Sequence, residues 1–151
     1  MLEMDIWDWT LAAYARPGVP EQCLKLQDSF GQNTSFLLWA VWAEAKDPNL
    51  LVKAAEVGRA WEATALSPLR DVRRALKPAF PPVDDGEREG LREDVKACEL
   101  RAERVLMDTL ARFAGRASGG AHALEALEAA SRAWGNPAPD DELAVLAAAL
   151  G

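Results

Sequence analysis

Apolar residues recur every three or four positions along most of the chain, which is the spacing of one face of an α-helix. Few segments alternate apolar and polar residues in the way that a half-buried strand does. The first pattern predicts a helix over about residues 5–15, with Trp7, Leu11 and Tyr14 on its buried face. A second helix is predicted from Val19. The pattern as a whole predicts an all-α fold.

The third predicted helix is apolar on every side. It contains the run 36–43, and the polar residues before this run favour a helix over a buried strand. Because a helix without a polar face must be enclosed by other elements, we expect it at the centre of the fold. A fourth helix begins after a cap at Asp47 and reaches about Leu76, with a kink or a restart at Pro68.

The longest helical pattern covers residues 87–114, after a proline-rich loop at 77–86. It carries two apolar stripes, so we expect two neighbouring elements to bury it. The stripes consist of Leu91, Val95, Ala102, Leu106 and Phe113, and of Leu100, Met107 and Leu110. A flexible glycine-rich break is predicted at 115–120, followed by two shorter helices rich in alanine and acidic residues.

These elements predict a single-domain, all-α helical bundle of about seven helices over residues 1–151. A chain of 151 residues is long enough to form a sizeable hydrophobic core. We assign residues 1–114 to the core of the domain. Residues 115–151 are expected to form a helical tail that packs on this core without holding its chemistry.

The amino-acid composition indicates the cellular compartment and disfavours some classes of partner. No apolar run approaches the roughly 20 residues that cross a bilayer, and no export signal is evident, so we expect a cytoplasmic protein without membrane contact. The two cysteines, Cys23 and Cys98, cannot form a disulfide framework. Both fall on apolar stripes and are expected to be buried, inert thiols. The net charge of -7 makes nucleic acid an unfavourable partner.

Charged and polar residues inside apolar stripes are the most informative feature for function. Arg73, Glu99, Glu103 and Gln27 all interrupt such stripes. Removing a charge from water is costly unless the charge is paired, so we predict that Arg73 pairs with Glu99 or Glu103 across packed helices. A structural salt bridge and a polar pocket both explain this pattern. The other cations of the segment are expected nearer the solvent: Arg70, Arg74 and Lys77.

Five of the tryptophans lie in the first half of the chain: Trp7, Trp9, Trp39, Trp42 and Trp61. Core packing accounts for most of them, and the alternative is an aromatic box around a ligand. Trp9 departs from the stripe of its helix. It is therefore a candidate for an exposed residue that anchors a partner.

No arrangement of residues predicts a metal or a cofactor, and we expect neither. No catalytic motif is evident either, which favours a non-catalytic protein and leaves an enzyme as the alternative. The lone His122 lacks the glutamate three residues before it that helical di-iron sites use, and we expect an ordinary surface or first-turn histidine. The acidic pairs at 84–85 and 140–141 lack a third carboxylate for magnesium, and they are more typical of helix N-caps. No histidine lies near either cysteine in sequence, and no glycine-rich phosphate loop occurs.

Four short motifs are spread over about the first 110 residues. They are W-D-x-x-L-x-x-Y-A-R-P-G-V from Trp7, L-Q-D from Leu26, P-L-R-x-x-R from Pro68 and E-L-x-x-E-R from Glu99. In this combination the chain resembles a family of small bacterial proteins of unknown function, found mainly in proteobacteria. The resemblance implies no activity, substrate or partner. Its pattern includes the charged residues that spacing alone singles out.

Two functions remain open at this stage. The first is a non-catalytic protein that binds another macromolecule, such as a protein partner, through a helical face. The second is a binder of a small anionic ligand, or an enzyme, because arginine suits carboxylate and phosphate groups. Its pocket would contain Gln27, Arg73, Glu99 and Glu103, with Trp7, Trp39 and Trp61 as walls. An open cavity at Arg73 would favour the pocket, and a closed ionic network would favour the interaction protein.

Overall fold

The computed structural model describes residues 4–151, and every regular element in this range is helical. The all-α prediction is therefore confirmed. The elements are α1 (Ile6–Tyr14), α2 (Val19–Phe30), α3 (Thr34–Ala43), α4 (Pro48–Trp61), a π turn (Glu62–Leu66), α5 (Ser67–Ala75), α6 (Asp85–Leu110), α7 (Ala123–Trp134) and α8 (Asp140–Leu150). Because the π turn joins α4 directly to α5, these residues form seven helical rods. No helix in this part of the chain is both long and apolar enough to cross a membrane.

The π turn arises at the proline where the sequence predicts a kink or a restart. Pro68 has no N–H group to donate to the preceding turn. The amide of Ser67 donates to the carbonyl of Glu62, five residues earlier rather than four. The helix therefore widens for one turn and continues through the proline.

Short polar side chains and glycines delimit the helices largely where the sequence predicts. Gly31 ends α2 with a left-handed backbone, φ 63°. The residues that cap helix N-termini by accepting a backbone hydrogen bond are Asp5, Asn33, Asp47 and Asp84.

α3 lies at the centre of the fold, as its all-round apolar sequence predicts. Phe36, Leu37, Leu38 and Trp39 are fully buried. The helices α1, α2, α4, α6 and α7 all pack against α3. Since α7 also packs against α4, the C-terminal segment forms one wall around the central helix.

Trp134, at the end of α7, packs against both α3 and α4. Its ring centroid lies 5.4 Å from that of Phe36, and its indole N–H donates to the carbonyl of Gly31 at 3.0 Å. The ring also lies on Gly58 of α4, where an added Cβ would be 2.9 Å from the ring. Arg59 covers the same ring at 5.7 Å from its centroid. Gly58 therefore provides the space that the tryptophan occupies.

The glycine-rich segment after α6 is a bound cap, and the prediction of a flexible break is wrong. Three amides within residues 117–121 donate, each at 3.0 Å, to carbonyls at the C-terminal end of α3, which would otherwise be unsatisfied. The donors are Ala117, Gly119 and Ala121, and the acceptors are Trp42, Ala43 and Glu44. Gly119 approaches Glu44 so closely that a Cβ would overlap the carbonyl group.

The predicted stripes of α1 and α6 are only partly buried. Leu11 is exposed, because α1 turns Ile6, Thr10 and Ala13 inward instead. On α6 the second half is buried as predicted, at Ala102, Leu106, Met107 and Leu110. Other predicted stripe residues are exposed: Leu91, Leu100 and Phe113. Cys98 shares the outward side of α6 and is exposed, which corrects the prediction of a buried thiol, whereas Cys23 is buried as expected.

We call residues 67–101 the arm. It consists of α5, the following loop and the first part of α6, which packs on α5. α5 contains no buried residue, and Arg88 is the one buried side chain in the whole arm. The arm therefore contributes little to the hydrophobic core.

Candidate functional site

The predicted ion pair of Arg73 exists between α5 and α6. Its Nε donates to both carboxylate oxygens of Glu99, each at 3.0 Å. Both side chains are partly buried, so each charge is compensated where solvation is reduced. Of the two candidate partners, Glu99 is the one that Arg73 binds.

A second ion pair lies beside the first. Nη1 of Arg70 is 3.3 Å from Oε1 of Glu62, a residue of the π turn. The Arg70 side chain is 14% exposed and that of Arg73 is 24% exposed, so the expectation that Arg70 lies nearer the solvent is wrong. Arg70 is the less exposed of the two arginines because the π turn places Glu62 next to it. Arg74 and Lys77 are exposed as predicted, and Arg74 lies 3.7 Å from Asp28 of α2.

Glu103 follows Glu99 by one turn of α6 and has a different electrostatic environment. Burial raises the pKa of its carboxyl to about 7, and the negative charge of Glu99 contributes to the increase. The opposing effect of Arg70 and Arg73 is smaller than that of burial. Glu103 therefore gains or loses its charge near neutral pH.

We call Glu62, Arg70, Arg73, Glu99 and Glu103 the ionic cluster. Beyond Glu103, polar groups of α1 and α2 adjoin this cluster. Burial, and to a lesser extent Cys23 and Glu103, raises the pKa of the Tyr14 hydroxyl above its usual value. Burial raises the pKa of the Cys23 thiol to about 11. Both groups are thus neutral at physiological pH, which suits hydrogen bonding and does not suit nucleophilic chemistry.

One buried polar atom of the cluster lacks a partner among the described residues. It is Oε2 of Glu62, whose other oxygen faces Arg70. An unpaired carboxylate oxygen accepts hydrogen bonds and repels anions. No group of three or more side chains suited to a metal occurs within residues 4–151.

Two of the tryptophans proposed as pocket walls, Trp39 and Trp61, donate hydrogen bonds to separate backbone carbonyls. The indole of Trp39 is fully buried and donates to Ala114, and that of Trp61 donates to the carbonyl of Ala102. Trp7 lies against Arg104 on the outward side of α6. Gln27 is partly buried on α2, next to the aspartate that faces Arg74.

Trp9 is partly buried and packs against the core. It lines a cavity of about 330 Å³ together with Trp42 and His122. His122 is exposed at the residue before α7, in agreement with a surface or first-turn histidine. The large apolar side chains that are most exposed to solvent lie elsewhere, and many of them are in the arm.

A groove of about 610 Å³ lies at the end of the arm, and we call it the tip groove. Its apolar lining comes from both helices and from their loop: Leu76, Pro78, Phe80, Val83 and Leu91. Phe80 and Val83 lie in the proline-rich loop, where no helical period could indicate their role.

Arg88 forms the base of the tip groove. It is 6% exposed, and its Nη1 donates to the carbonyls of Leu76 and Lys77 at 2.6 and 3.0 Å. Asp85 and Glu89 pair with its guanidinium at 3.1 and 2.7 Å. Arg88 thus satisfies the carbonyls of the two residues that follow α5 and complements the dipole of that helix. Sequence reasoning missed this role because the contact joins two helices across a loop.

Comparison with protein families identifies one match. Residues 5–110 match the model of a family described as a protein of unknown function, DUF2390. This range includes the arm and the ionic cluster, and it ends at the last residue of α6. Comparisons with curated proteins and with solved structures gave no match.

Proposed function

Because the chain belongs to the DUF2390 family, whose function is unknown, we propose a function from its own structure. The protein is a non-catalytic, cytoplasmic protein that binds another protein through the tip groove. The occupant is a peptide segment of the partner that carries bulky apolar residues and basic flanks.

The exposed apolar surface of the arm carries this proposal. Three large apolar side chains that line the tip groove are exposed: Phe80, Val83 and Leu91. Contiguous exposed apolar surface is typical of sites that another molecule covers. A groove between two helices and a loop also suits the insertion of apolar side chains from a peptide.

The charges around the tip groove favour a basic partner. Between Ala75 and Leu91, the first and last residues of the lining, the chain carries four acids and two bases: Asp84, Asp85, Glu87 and Glu89 against Lys77 and Arg88. The two acids that pair with Arg88 share a single guanidinium. The segment that forms the groove therefore carries a net negative charge, and basic residues on a partner would complement it.

A ligand pocket at Arg73 has less support. Arg73 already donates to both oxygens of Glu99, and Arg70 faces Glu62. The unsatisfied buried atom of the cluster is a carboxylate oxygen, which an anionic ligand would not approach. The Arg73–Glu99 pair is better explained as a link between the two helices of the arm, and the Arg70–Glu62 pair as a link from the arm to the π turn.

Selection from a displayed library of random peptides tests the proposed function. The full chain serves as bait, and the selected peptides are then measured for binding to a Leu91→Asn variant. Leu24→Asn is the matched control, because Leu24 on α2 is 58% exposed and Leu91 is 53% exposed. We expect the selected peptides to combine bulky apolar and basic residues. They should bind the Leu91→Asn variant about tenfold more weakly and the Leu24→Asn variant as tightly as the unaltered chain.

Two outcomes contradict the proposal. Peptides that bind all three proteins equally would show that the tip groove is not the site. A dimer of this chain that dissociates in the Leu91→Asn variant would show that a second copy occupies the groove, and light scattering detects it.

A further inference from the structure

A second groove, of about 630 Å³, lies between α1 and the outward side of α6. We call it the Trp7 groove. The residues used below are Trp7, Cys98, Leu100, Arg101, Arg104 and Val105. It lies on the opposite side of α6 from Glu99 and Glu103, so it is separate from the ionic cluster.

Two arginines give this groove its positive charge. The guanidinium of Arg104 lies 5.5 Å from the centroid of the Trp7 ring, which restricts its orientation. Its closest acid, Asp108, is 3.9 Å away, and both side chains are more than half exposed. Arg101 has no ion-pair partner within residues 4–151. Both guanidinium groups therefore keep donors available.

The rest of the lining is apolar. Leu100 and Val105 are both exposed, and they flank the arginines along α6. The partly buried ring of Trp7 forms the facing wall from α1. The volume of the groove falls in the range of small-molecule sites, which combine an apolar lining with a few polar groups.

We propose that the Trp7 groove binds an amphiphilic oxyanion, a carboxylate or phosphate group carried on an apolar body. Arg101 and Arg104 bind the oxyanion, since the planar fork of arginine matches the geometry of both groups. Trp7, Leu100 and Val105 cover the apolar body. This site is distinct from the tip groove and does not depend on the protein partner proposed above.

The thiol of Cys98 provides a direct reporter of occupancy. It is exposed and lines the groove, whereas the other cysteine, Cys23, is buried. The rate at which neutral iodoacetamide alkylates Cys98 can be followed by mass spectrometry on the full chain. Octanoate and octyl phosphate are the amphiphilic probes. Acetate controls for the charge without an apolar body, and octanol controls for the apolar body without a charge.

We expect the amphiphilic probes to slow alkylation of Cys98 by about tenfold when they are in excess over their Kd. Whether octanoate or octyl phosphate binds more tightly shows whether the groove prefers a carboxylate or a phosphate group. Acetate and octanol should protect much less. The Arg101→Gln variant should raise the probe concentration needed for half-maximal protection by about tenfold, because one charged hydrogen-bonding partner is lost. Arg132→Gln, which removes an exposed charge on α7, should leave protection unchanged.

Three results would overturn the inference. The first is the absence of protection by either amphiphile up to its solubility limit. The second is equal protection by octanol, which would indicate a purely apolar surface. The third is an equal loss of protection in the Arg101→Gln and Arg132→Gln variants, which would indicate an effect of net charge alone.

Discussion

Glu99 and Glu103 lie one turn apart on α6, and their environments differ sharply. Arg73 donates two hydrogen bonds to Glu99, whereas burial and the nearby charge of Glu99 raise the pKa of Glu103. At the scale of single residues, burial is tolerated where a counter-charge is in direct contact and is costly where it is not.

Replacing Glu103 with glutamine tests this difference through pH. The pKa of Glu103 is about 7 in the folded chain, and its usual value is 4.5. Below about pH 4.5 the carboxyl is protonated in both the folded and the unfolded chain, so the raised pKa does not affect stability. Above about pH 7 it is charged in both, and the buried charge lowers the free energy of unfolding by about 3 kcal/mol. The stability of Glu103→Gln relative to the unaltered chain should therefore rise by up to about 3 kcal/mol between pH 5 and pH 8.

Urea unfolding at several pH values measures this difference. Glu93→Gln is the control, because Glu93 is an exposed carboxylate of the same helix. A stability difference between Glu103→Gln and the unaltered chain that stays constant across the pH range would contradict the assigned environment.

Gly58 offers a steric test at the same scale. Alanine is favoured over glycine in a helix by about 1 kcal/mol. At this position, however, the new methyl group meets the ring of Trp134. We expect Gly58→Ala to lower the free energy of unfolding by about 1 to 2 kcal/mol. In a Trp134→Ala background the same change should be neutral or stabilising, and denaturant unfolding of the four proteins measures the coupling. Equal effects in both backgrounds would refute the contact.

At the scale of elements, α6 changes neighbours along its length. It packs with α5 and the π turn, and also with α1, α3 and α4. Apart from Arg88, its buried residues all lie from Ala102 onward. The sequence predicts the helix and its apolar stripes, because periodicity reports which side of a helix is apolar. It does not report whether another element covers that side. Leu91 and Leu100 therefore look like core residues in the sequence and are exposed in the structure.

Arg88 is expected to hold the two helices of the arm together. Arg88→Met keeps much of the side-chain volume and removes the donors to Leu76 and Lys77. The carbonyls at the end of α5 then lose charged hydrogen bonds worth about 1 to 3 kcal/mol. Amide hydrogen exchange in α5 should accelerate by at least about tenfold, whereas exchange in α3 should not change.

Lys96→Met is the control for Arg88, since Lys96 pairs with Glu93 on the solvent side of the same helix. Equal exchange in α5 for both variants would mean that Arg88 does not stabilise the arm. Faster exchange throughout the molecule would mean that the arm does not open independently.

At the scale of the whole molecule, the C-terminal segment contributes to the hydrophobic core. Leu127, Leu143 and Leu146 belong to the core cluster. Polar contacts reinforce this packing: Gln22 donates to the backbone and side chain of Glu142 at 2.9 and 2.8 Å. Lys25 also binds Glu142, and these hydrogen bonds hold the pKa of its carboxyl below the usual value. The family match ends at residue 110, before this segment begins.

We propose that residues 115–151 fold as one unit with the preceding residues. Deleting them would remove the cap on α3 and expose the side of α3 that α7 covers, including Phe36. The shortened chain is expected to lose cooperative urea unfolding and to bind dyes specific for exposed apolar surface. Cooperative unfolding with an unchanged midpoint would contradict this proposal.

The sequence predicts the helices, the central position of α3 and the pairing of Arg73 because each depends on local period or on the cost of an unpaired charge. The tip groove, the role of Arg88 and the Trp7 groove depend on how helices meet across loops. Phe80 and Arg101 therefore have no distinctive signal in the sequence, although both are prominent in the structure.

Photocrosslinking at the tip groove tests the central claim, that the arm binds another protein, most directly. A photoreactive residue at Val83 lies in the groove, and one at Val52 on α4 is a control of similar exposure. In cells that natively express the chain, we expect the Val83 probe to crosslink to one protein, through a segment with apolar and basic residues. The Val52 probe should not form this crosslink. Identical crosslinks from both positions, or a crosslink from Val83 to a second copy of the chain, would contradict the claim.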